Sequence, residues 1–353
     1  MTNNVAVAIS GGRDSMLALS LLREQGWNVV ALHAFFMKPN DRLRSVAAKL
    51  EESCRSLSVP LHVVDLSVEF ERLVVQPFMD DYVHGRTPNP CALCNRHMKF
   101  GLLMDAAQKA GADRIATGHY ARLEEHPEVG TVLRSGLDHT KDQSYFLALV
   151  PQHALAKALF PLADWHKADV MDELDSRRLP PPLPSESQEV CFVPNDDYKA
   201  FLQMRNAPLG GPGPVVLLDG TPVGRHQGLW RYTLGQRKGL GIAWKHPLYV
   251  VRKEMARNTL VMGTDEEMRR TSCRVGQLNM LVPPEHWPEA LLAKTRYRQR
   301  PCPAKVELHE DWMELHFARP EFPPTSGQVA ALYTEDGMIL AGGVIEETPT
   351  APK

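Results

Sequence analysis

Ser10-Gly11-Gly12-Arg13-Asp14-Ser15 follows the apolar run Val5-Ala6-Val7-Ala8-Ile9 and precedes a helix-periodic stretch. Two glycines let backbone N–H groups approach an anion, the Ser10 and Ser15 hydroxyls add donors, and the helix start contributes its positive dipole end. No G-x-x-x-x-G-K-[ST] run is present, so no P-loop lysine holds a γ-phosphate. A loop that grips pyrophosphate, with Asp14 able to hold Mg²⁺, suits attack at an α-phosphate, which is adenylation rather than phosphoryl transfer. The same Gly-Gly also serves an ordinary strand-to-helix turn.

Thiols form the second cluster. In Thr87-Pro88-Asn89-Pro90-Cys91-Ala92-Leu93-Cys94-Asn95 the prolines stiffen the approach and present Cys91 and Cys94 ahead of a helix expected to begin near Arg96 or His97. The helix dipole and the nearby Arg86, Arg96 and Lys99 would favour thiolates. No second Cys/His pair lies at finger spacing, so a zinc knuckle is incomplete, and the phosphate loop does not suit a thioredoxin-like redox pair. What stands is one nucleophile with a partner, or two of three ligands to a cluster. Cys191, in Gln188-Glu189-Val190-Cys191-Phe192, follows the proline-rich 178–185 stretch, an extended tether, and reads either as a reactive thiol or as a buried strand cysteine. Cys54 and Cys273 read as small buried hydrophobes.

Ala116-Thr117-Gly118-His119-Tyr120 ends a strand at a glycine, where a parallel sheet binds ligands and Gly118 would admit a nucleotide. His119 alone is as consistent with a structural imidazole. In Leu137-Asp138-His139-Thr140-Lys141-Asp142-Gln143-Ser144, Thr140 or Asp142 can cap a helix, and Lys141, Asp142 and Gln143 can equally read a base edge. The net charge of −2 hides an uneven distribution. Eight Lys/Arg stand against Glu254 alone between Gly224 and Arg257, interleaved with Trp230, Tyr232, Trp244 and Tyr249, and five more lie between Lys294 and Lys305 without an acid. Cations for phosphates and flat rings for unstacked bases suit a folded RNA, although a solvated face of β domains has the same composition.

These residues need a scaffold. The 353 residues suffice for two or three domains. Strands are expected at 5–9, 29–35, 61–66 and 114–117, with helices at 14–25, 43–58, 98–109 and 142–149, as βαβ units of a doubly wound parallel sheet. After a helix at 197–205, Pro208–Pro214 marks a boundary. Short strands then continue, at 305–308, 313–317, 329–333 and 338–345 among others, as a small β domain followed by a barrel. There is no 18-residue apolar run, and Met1-Thr2-Asn3-Asn4 enters a core strand, so the expectation is a cytoplasmic protein without leader or membrane span. Six cysteines are too few for a disulfide scaffold.

Taken in order, SGGRDS (10–15), TPNPCALCN (87–95), KFG (99–101), ATGHYAR (116–122), KDQSYFL (141–147), VCF (190–192), HQGLWRYTLGQRKGLGI (226–242), KTRYR (294–298) and the terminal SGQVAALY and GGVI span almost the whole chain. The set resembles the bacterial tRNA-specific 2-thiouridylases, an ATP-pyrophosphatase-loop family. The resemblance implies an α/β catalytic domain at 1–206 of the adenine-nucleotide alpha hydrolase type, a tRNA-contacting central domain at 207–270 and a C-terminal β-barrel at 271–353. It implies ATP and Mg²⁺ on Ala8, Ile9, Ser10, Gly11, Gly12, Arg13, Asp14 and Ser15, with Ala34 and Gly118. It further implies adenylation of the C2 oxygen of a wobble uridine, then sulfur delivery. Cys191 would take a persulfide from a sulfur carrier, and Cys94 would release it as sulfide or through a disulfide. Asn89, Pro90, Cys91, Lys141, Asp142 and Gln143 correspond to target-base contacts, and Arg296 with Tyr297 to a tRNA contact.

Four departures stand out. Cys91 occupies a place where some members have aspartate, which makes three thiols and raises an alternative: a [4Fe–4S] cluster on Cys91, Cys94 and Cys191 using free sulfide. Arg13 replaces a small apolar residue, prolines fill 180–184, and the 39–58 segment looks shortened. Two rival functions are a non-catalytic RNA-binding adaptor, opposed by Asp14, Cys94 and Cys191, and an adenylating enzyme for a small amide or carboxylate. The basic, aromatic C-terminal half is superfluous for the latter.

Overall fold

Val5, Ala6 and Val7 are fully buried, as a strand covered on both faces must be. They form β1 (Asn4–Ala8) in the computed structural model, which describes residues 3–183 and 190–346. β2 (Asn28–Phe35), β3 (Leu61–Asp65), β4 (Arg114–Ala116), the hairpin β5 (Ala121–His126) and β6 (Gly130–Ser135), and β7 (Ala158–Leu159) follow. Five of these pair in parallel in the order β3-β2-β1-β4-β7. Connections reverse direction between β1 and β4, which opens a crevice at their carboxyl ends. The Ser10–Ser15 loop leaves one end and Thr117-Gly118-His119 the other. Helix α1 (Arg13–Glu24) packs seven buried residues, Met16, Leu17 and Leu19 among them, under the sheet.

A second sheet holds β8 (Gly213–Leu217), β9 (Pro222–His226), β10 (Tyr249–Glu254) and β11 (Thr259–Gly263) in the order β10-β11-β8-β9. The last six strands are β12 (Arg270–Met280), β13 (Leu291–Lys294), β14 (Cys302–Leu308), β15 (Trp312–Glu321), β16 (Val329–Tyr333) and β17 (Met338–Ile345). β12 pairs with both β15 and β17, closing the six into an antiparallel barrel. The expected parallel sheet, small β domain and barrel are all present. Among the described residues no helix is long and apolar enough to cross a membrane.

Local patterning left several elements unread or misplaced. A helical run at 67–83 and the β5–β6 hairpin were not expected, and β6 joins the barrel sheet through β17. The helix expected near Arg96 begins at Pro90 instead, because Asn89 accepts from Ala92 N–H at 3.2 Å as its cap and proline suits the first helical position. From Cys94 to Leu102 it widens into π-type turns, so both motif thiols lie within helix rather than before it. The helix expected at 142–149 is one turn, Ser144–Leu147. Trp230 and Tyr232, expected as RNA platforms, are core residues; of the four interleaved aromatics only Trp244 is strongly exposed.

The core crosses the boundary between catalytic domain and barrel. Tyr145, fully buried, packs with Ala92 and Phe100 on one side and Val329, Ala331 and Ile339 on the other, and its hydroxyl donates to Val329 O at 2.7 Å. Burial of one such ring contributes about 2–3 kcal/mol and the hydrogen bond about 1. Gln328 Nε2 donates to Thr87 O (3.1 Å) and Pro88 O (2.7 Å), while Thr87 N–H donates to Ser326 O (2.9 Å). The barrel therefore sets where the Asn89–Cys94 segment lies.

Candidate active site

The loop after β1 is wired internally. Ser15 Oγ donates to Gly12 O at 2.9 Å and accepts from Ser10 N–H at 3.2 Å, while Ser10 Oγ accepts from Gly12 N–H at 3.3 Å. Gly11 has φ +87°, a left-handed conformation that an L side chain resists. Among the described residues no side chain caps α1 at Gly12, and the positive end of the helix faces the loop. Leu183 N–H donates to Gly11 O at 2.8 Å, and Leu183 bridges Gly12 in parallel. The described part of the proline stretch is docked on the loop at Leu183, with a bend at Pro182 and Arg178 in a turn at φ +54°; Pro184, Ser185, Gln188 and Glu189 lie outside the described residues. Arg13, Asp14, Ala8 and Ala34 are half-buried around this loop, and Ile9 is buried.

Asp14 is not open. Lys167 Nζ donates to both of its oxygens at 2.7 Å, and the Tyr120 hydroxyl donates to Oδ1 at 2.9 Å. Gly118 packs directly on it: a Cβ there would sit 2.8 Å from the Asp14 carbonyl carbon. Gly118 therefore admits the loop itself. Nothing in the local pattern around Lys167 announces this contact, because it links positions 153 residues apart.

Next to Gly118, His119 connects the cradle to the thiols. Its Nε2 lies 3.3 Å from Lys99 Nζ and its Nδ1 2.6 Å from Thr117 Oγ1. Burial, then the Lys99 charge, hold His119 well below the ordinary imidazole range. A neutral ring facing an ammonium accepts at Nε2, which places its proton on Nδ1 as donor to Thr117. Lys99 is in turn the cation acting on Cys91, Cys94 and Cys191, and a charge on Cys191 is felt by both other thiols. The fold has brought position 191 to the C-x-x-C.

The thiols differ from expectation in one respect. The dipole and basic neighbours do not leave them acidic: burial raises all three, Cys94 to about 12, with Lys99 pulling the other way. Cys91 and Cys191 still reach the surface, the latter in a turn rather than in a buried strand, while Cys94 is half-buried. All six cysteines are free, and Cys54, Cys273 and Cys302 are buried in cores.

The expected RNA contacts divide. Asn89 and Pro90 are buried, and only Cys91 of that triplet is exposed. Asp142 is spent on structure: Oδ1 accepts from Gly136 N–H and Ser144 N–H, and Oδ2 from the Ser135 and Ser144 hydroxyls. Gln143 Oε1 accepts from Tyr120 N–H, and Lys141 and Gln143 are both half-buried. Arg296 clasps two domains, its Nη2 donating to Leu234 O, Pro323 O and Thr325 Oγ1 at 2.8–3.1 Å, with burial lowering it to about 10. It lines a cavity of about 410 Å³ with Tyr198, Lys199, Arg231 and Gln236. Tyr297 packs on Phe146 at 4.4 Å.

Three family models account for this arrangement: a tRNA methyl transferase HUP domain over residues 3–195, a tRNA methyl transferase PRC-barrel domain over 199–264 and an aminomethyltransferase beta-barrel domain over 270–345. The tRNA-specific 2-thiouridylase MnmA of Nitratidesulfovibrio vulgaris (strain DSM 19637 / Miyazaki F) is 52% identical over 97% of this chain and 98% of its own length. The chain belongs to the tRNA-specific 2-thiouridylase family. Other 2-thiouridylases align end to end as well, from Lawsonia intracellularis at 48% identity (97% of this chain, 99% of that one) and Trichlorobacter lovleyi at 38% (99% of each).

Two groups raised by the sequence can be tested on this 2-thiouridylase's own residues. Among the described residues no three His, Cys, Asp or Glu side chains assemble as a metal-holding group. The three thiols, although mutually sensed, do not fit a resident [4Fe–4S] cluster as arranged. Asp14 has both oxygens on an ammonium and, among the described residues, no acidic companion, so these side chains do not fit a protein-held Mg²⁺ either.

Proposed function

We propose that this protein 2-thiolates a uridine of tRNA in an ATP-dependent reaction, as a tRNA-uridine 2-sulfurtransferase. The observation that carries the reading is the convergence of Cys94 and Cys191 on Lys99, one hydrogen-bonded imidazole away from the Gly118–Asp14 contact beneath an uncapped helix start. Activation and sulfur delivery both need to reach one carbon, and these two sets of groups adjoin.

In this reading the triphosphate lies at the positive end of α1, with Lys167 offsetting the Asp14 charge that would otherwise repel it. The uridine C2 oxygen attacks the α-phosphate and pyrophosphate leaves, giving an O2-adenylated base. The terminal sulfur of a Cys191 persulfide bonds to C2, and AMP departs with the oxygen. Cys94 Sγ attacks Cys191 Sγ as the outer S–S bond breaks, closing a Cys94–Cys191 disulfide that an external dithiol reduces before the next cycle. A sulfur-carrier protein supplies the persulfide sulfur. Lys99 favours both attacking thiolates against the burial that opposes them. Pyrophosphate release measured with and without tRNA tests the assignment: dependence on tRNA is expected, release without tRNA would point to a small substrate, and none at all to an adaptor.

A further inference from the structure

Lys294, at the end of β13, is 8% exposed, yet among the described residues its ammonium has neither a hydrogen bond nor an ion pair. Its nearest company is two π faces, the rings of Tyr145 and Tyr297, each 5.6 Å from Nζ. Asp142 is the acid that acts on it, and all four hydrogen bonds to that carboxylate come from elsewhere. A largely buried cation that, among the described residues, has no protein acceptor is held at a cost that an incoming acceptor would relieve.

The surroundings indicate which acceptor. The same two tyrosines border the C-x-x-C segment: the Asn89 side chain acts on the Tyr145 hydroxyl, and Cys91 lies within electrostatic reach of Tyr297. Tyr297, tilted on Phe146, offers a ring on which a flipped base can stack. Cys94 and Cys191 belong to the parallel-sheet domain and Lys294 to β13 of the barrel. The two carbonyl oxygens of uracil flank N3 and diverge, so a base that offers its C2 to the thiols can offer its C4 oxygen to a second wall. We propose that Lys294 is the residue that selects uracil, donating a hydrogen bond to the C4 oxygen of the target base and rejecting cytosine, whose C4 amine is itself a donor. This inference rests on the tRNA-thiolation reading above.

A site built to donate to an oxygen discriminates strongly against an analogue without that acceptor, because its buried donor is left unpaired. Single-turnover thiolation would be measured on tRNAs carrying uridine, 4-thiouridine or cytidine at the target position, with wild type, Lys294→Met and Lys294→Gln. Wild type is expected to lose about 10- to 100-fold on 4-thiouridine and more on cytidine. Lys294→Met is expected to slow on uridine by about the same 10- to 100-fold, yet to treat uridine and 4-thiouridine alike. Lys294→Gln, which keeps a donor, should recover part of the rate. A merely structural lysine would slow all three substrates equally, and that result, or unchanged discrimination in Lys294→Met, overturns the proposal alone. Wild type failing to thiolate the uridine tRNA overturns the reaction assignment and this inference with it.

Discussion

At the sheet edge, the side chains of the anion cradle are matched before any ligand arrives: Ser10 and Ser15 bond within the loop, and Asp14 is held by Lys167 and Tyr120. Across Gly118 the opposite holds. Three thiols are raised by burial, Cys94 to about 12, and Lys294 is largely buried without an acceptor among the described residues. The first region is rigid and preorganised for a charge it will receive. The second carries unmet demands that only a substrate, a sulfur atom and a proton acceptor can satisfy. In the proposed mechanism, adenylation and sulfur transfer thus ask different things of adjoining walls of one crevice.

The contrast breaks most sharply at the sulfur side. Cys94→Ser or Cys191→Ser should abolish 2-thiouridine by nucleoside mass spectrometry, a loss of about 10³-fold or more, with tRNA affinity within about twofold. Normal thiolation in either variant would sink the two-thiol relay. On the cradle side, Gly118→Ala puts a methyl 2.8 Å from Asp14 and should cost roughly 1–3 kcal/mol of stability, with tRNA-dependent pyrophosphate release falling about 100-fold. Retained release at that position would show the cradle to be softer than drawn. Lys167→Met removes the cation from Asp14 and should raise the KM for ATP about tenfold, a modest value because the pair is partly solvated.

Protonation separates the two regions again. Because the reacting thiols sit above their ordinary range, single-turnover sulfur transfer should rise with pH through 7–9, and Lys99→Met should lower the neutral-pH rate several-fold by raising them further. A flat profile between pH 7 and 9 would mean the thiolate is not the limiting form. The smallest expected effect is Cys91→Ser, within about twofold of wild type for a relay through two thiols. Complete loss there would make the third thiol obligatory.

Sequence order carried much of this architecture. Two glycines and two serines after a hydrophobic strand betray the cradle because everything needed is contiguous, and strands at 329–333 and 338–345 were read to the residue. Helix starts were misread where a cap and a proline at Asn89–Pro90 outweighed the apolar pattern downstream. Asp142 looked like a base reader because its type is right, yet its oxygens close a turn. Lys167 and His119 as a partner of Lys99 leave no local trace, and Lys294 is legible only as one member of a basic run. Their roles come from contacts across sheets and domains, which residue type and spacing do not encode.

The β5–β6 hairpin lies within the first family match, and β17, which pairs with β6, lies within the third. Units recognised separately by descent are therefore not separate units of folding. A chain shortened to its first 264 residues would bare the outer edge of β6 and deprive Tyr145 of its acceptor on Val329. It would also release the Thr87–Pro88 carbonyls from Gln328 and so unmoor Cys91 and Cys94. The barrel is then less an RNA-gripping appendage than the far wall of the reaction chamber, and its loss should silence chemistry whose nucleophiles it does not contain.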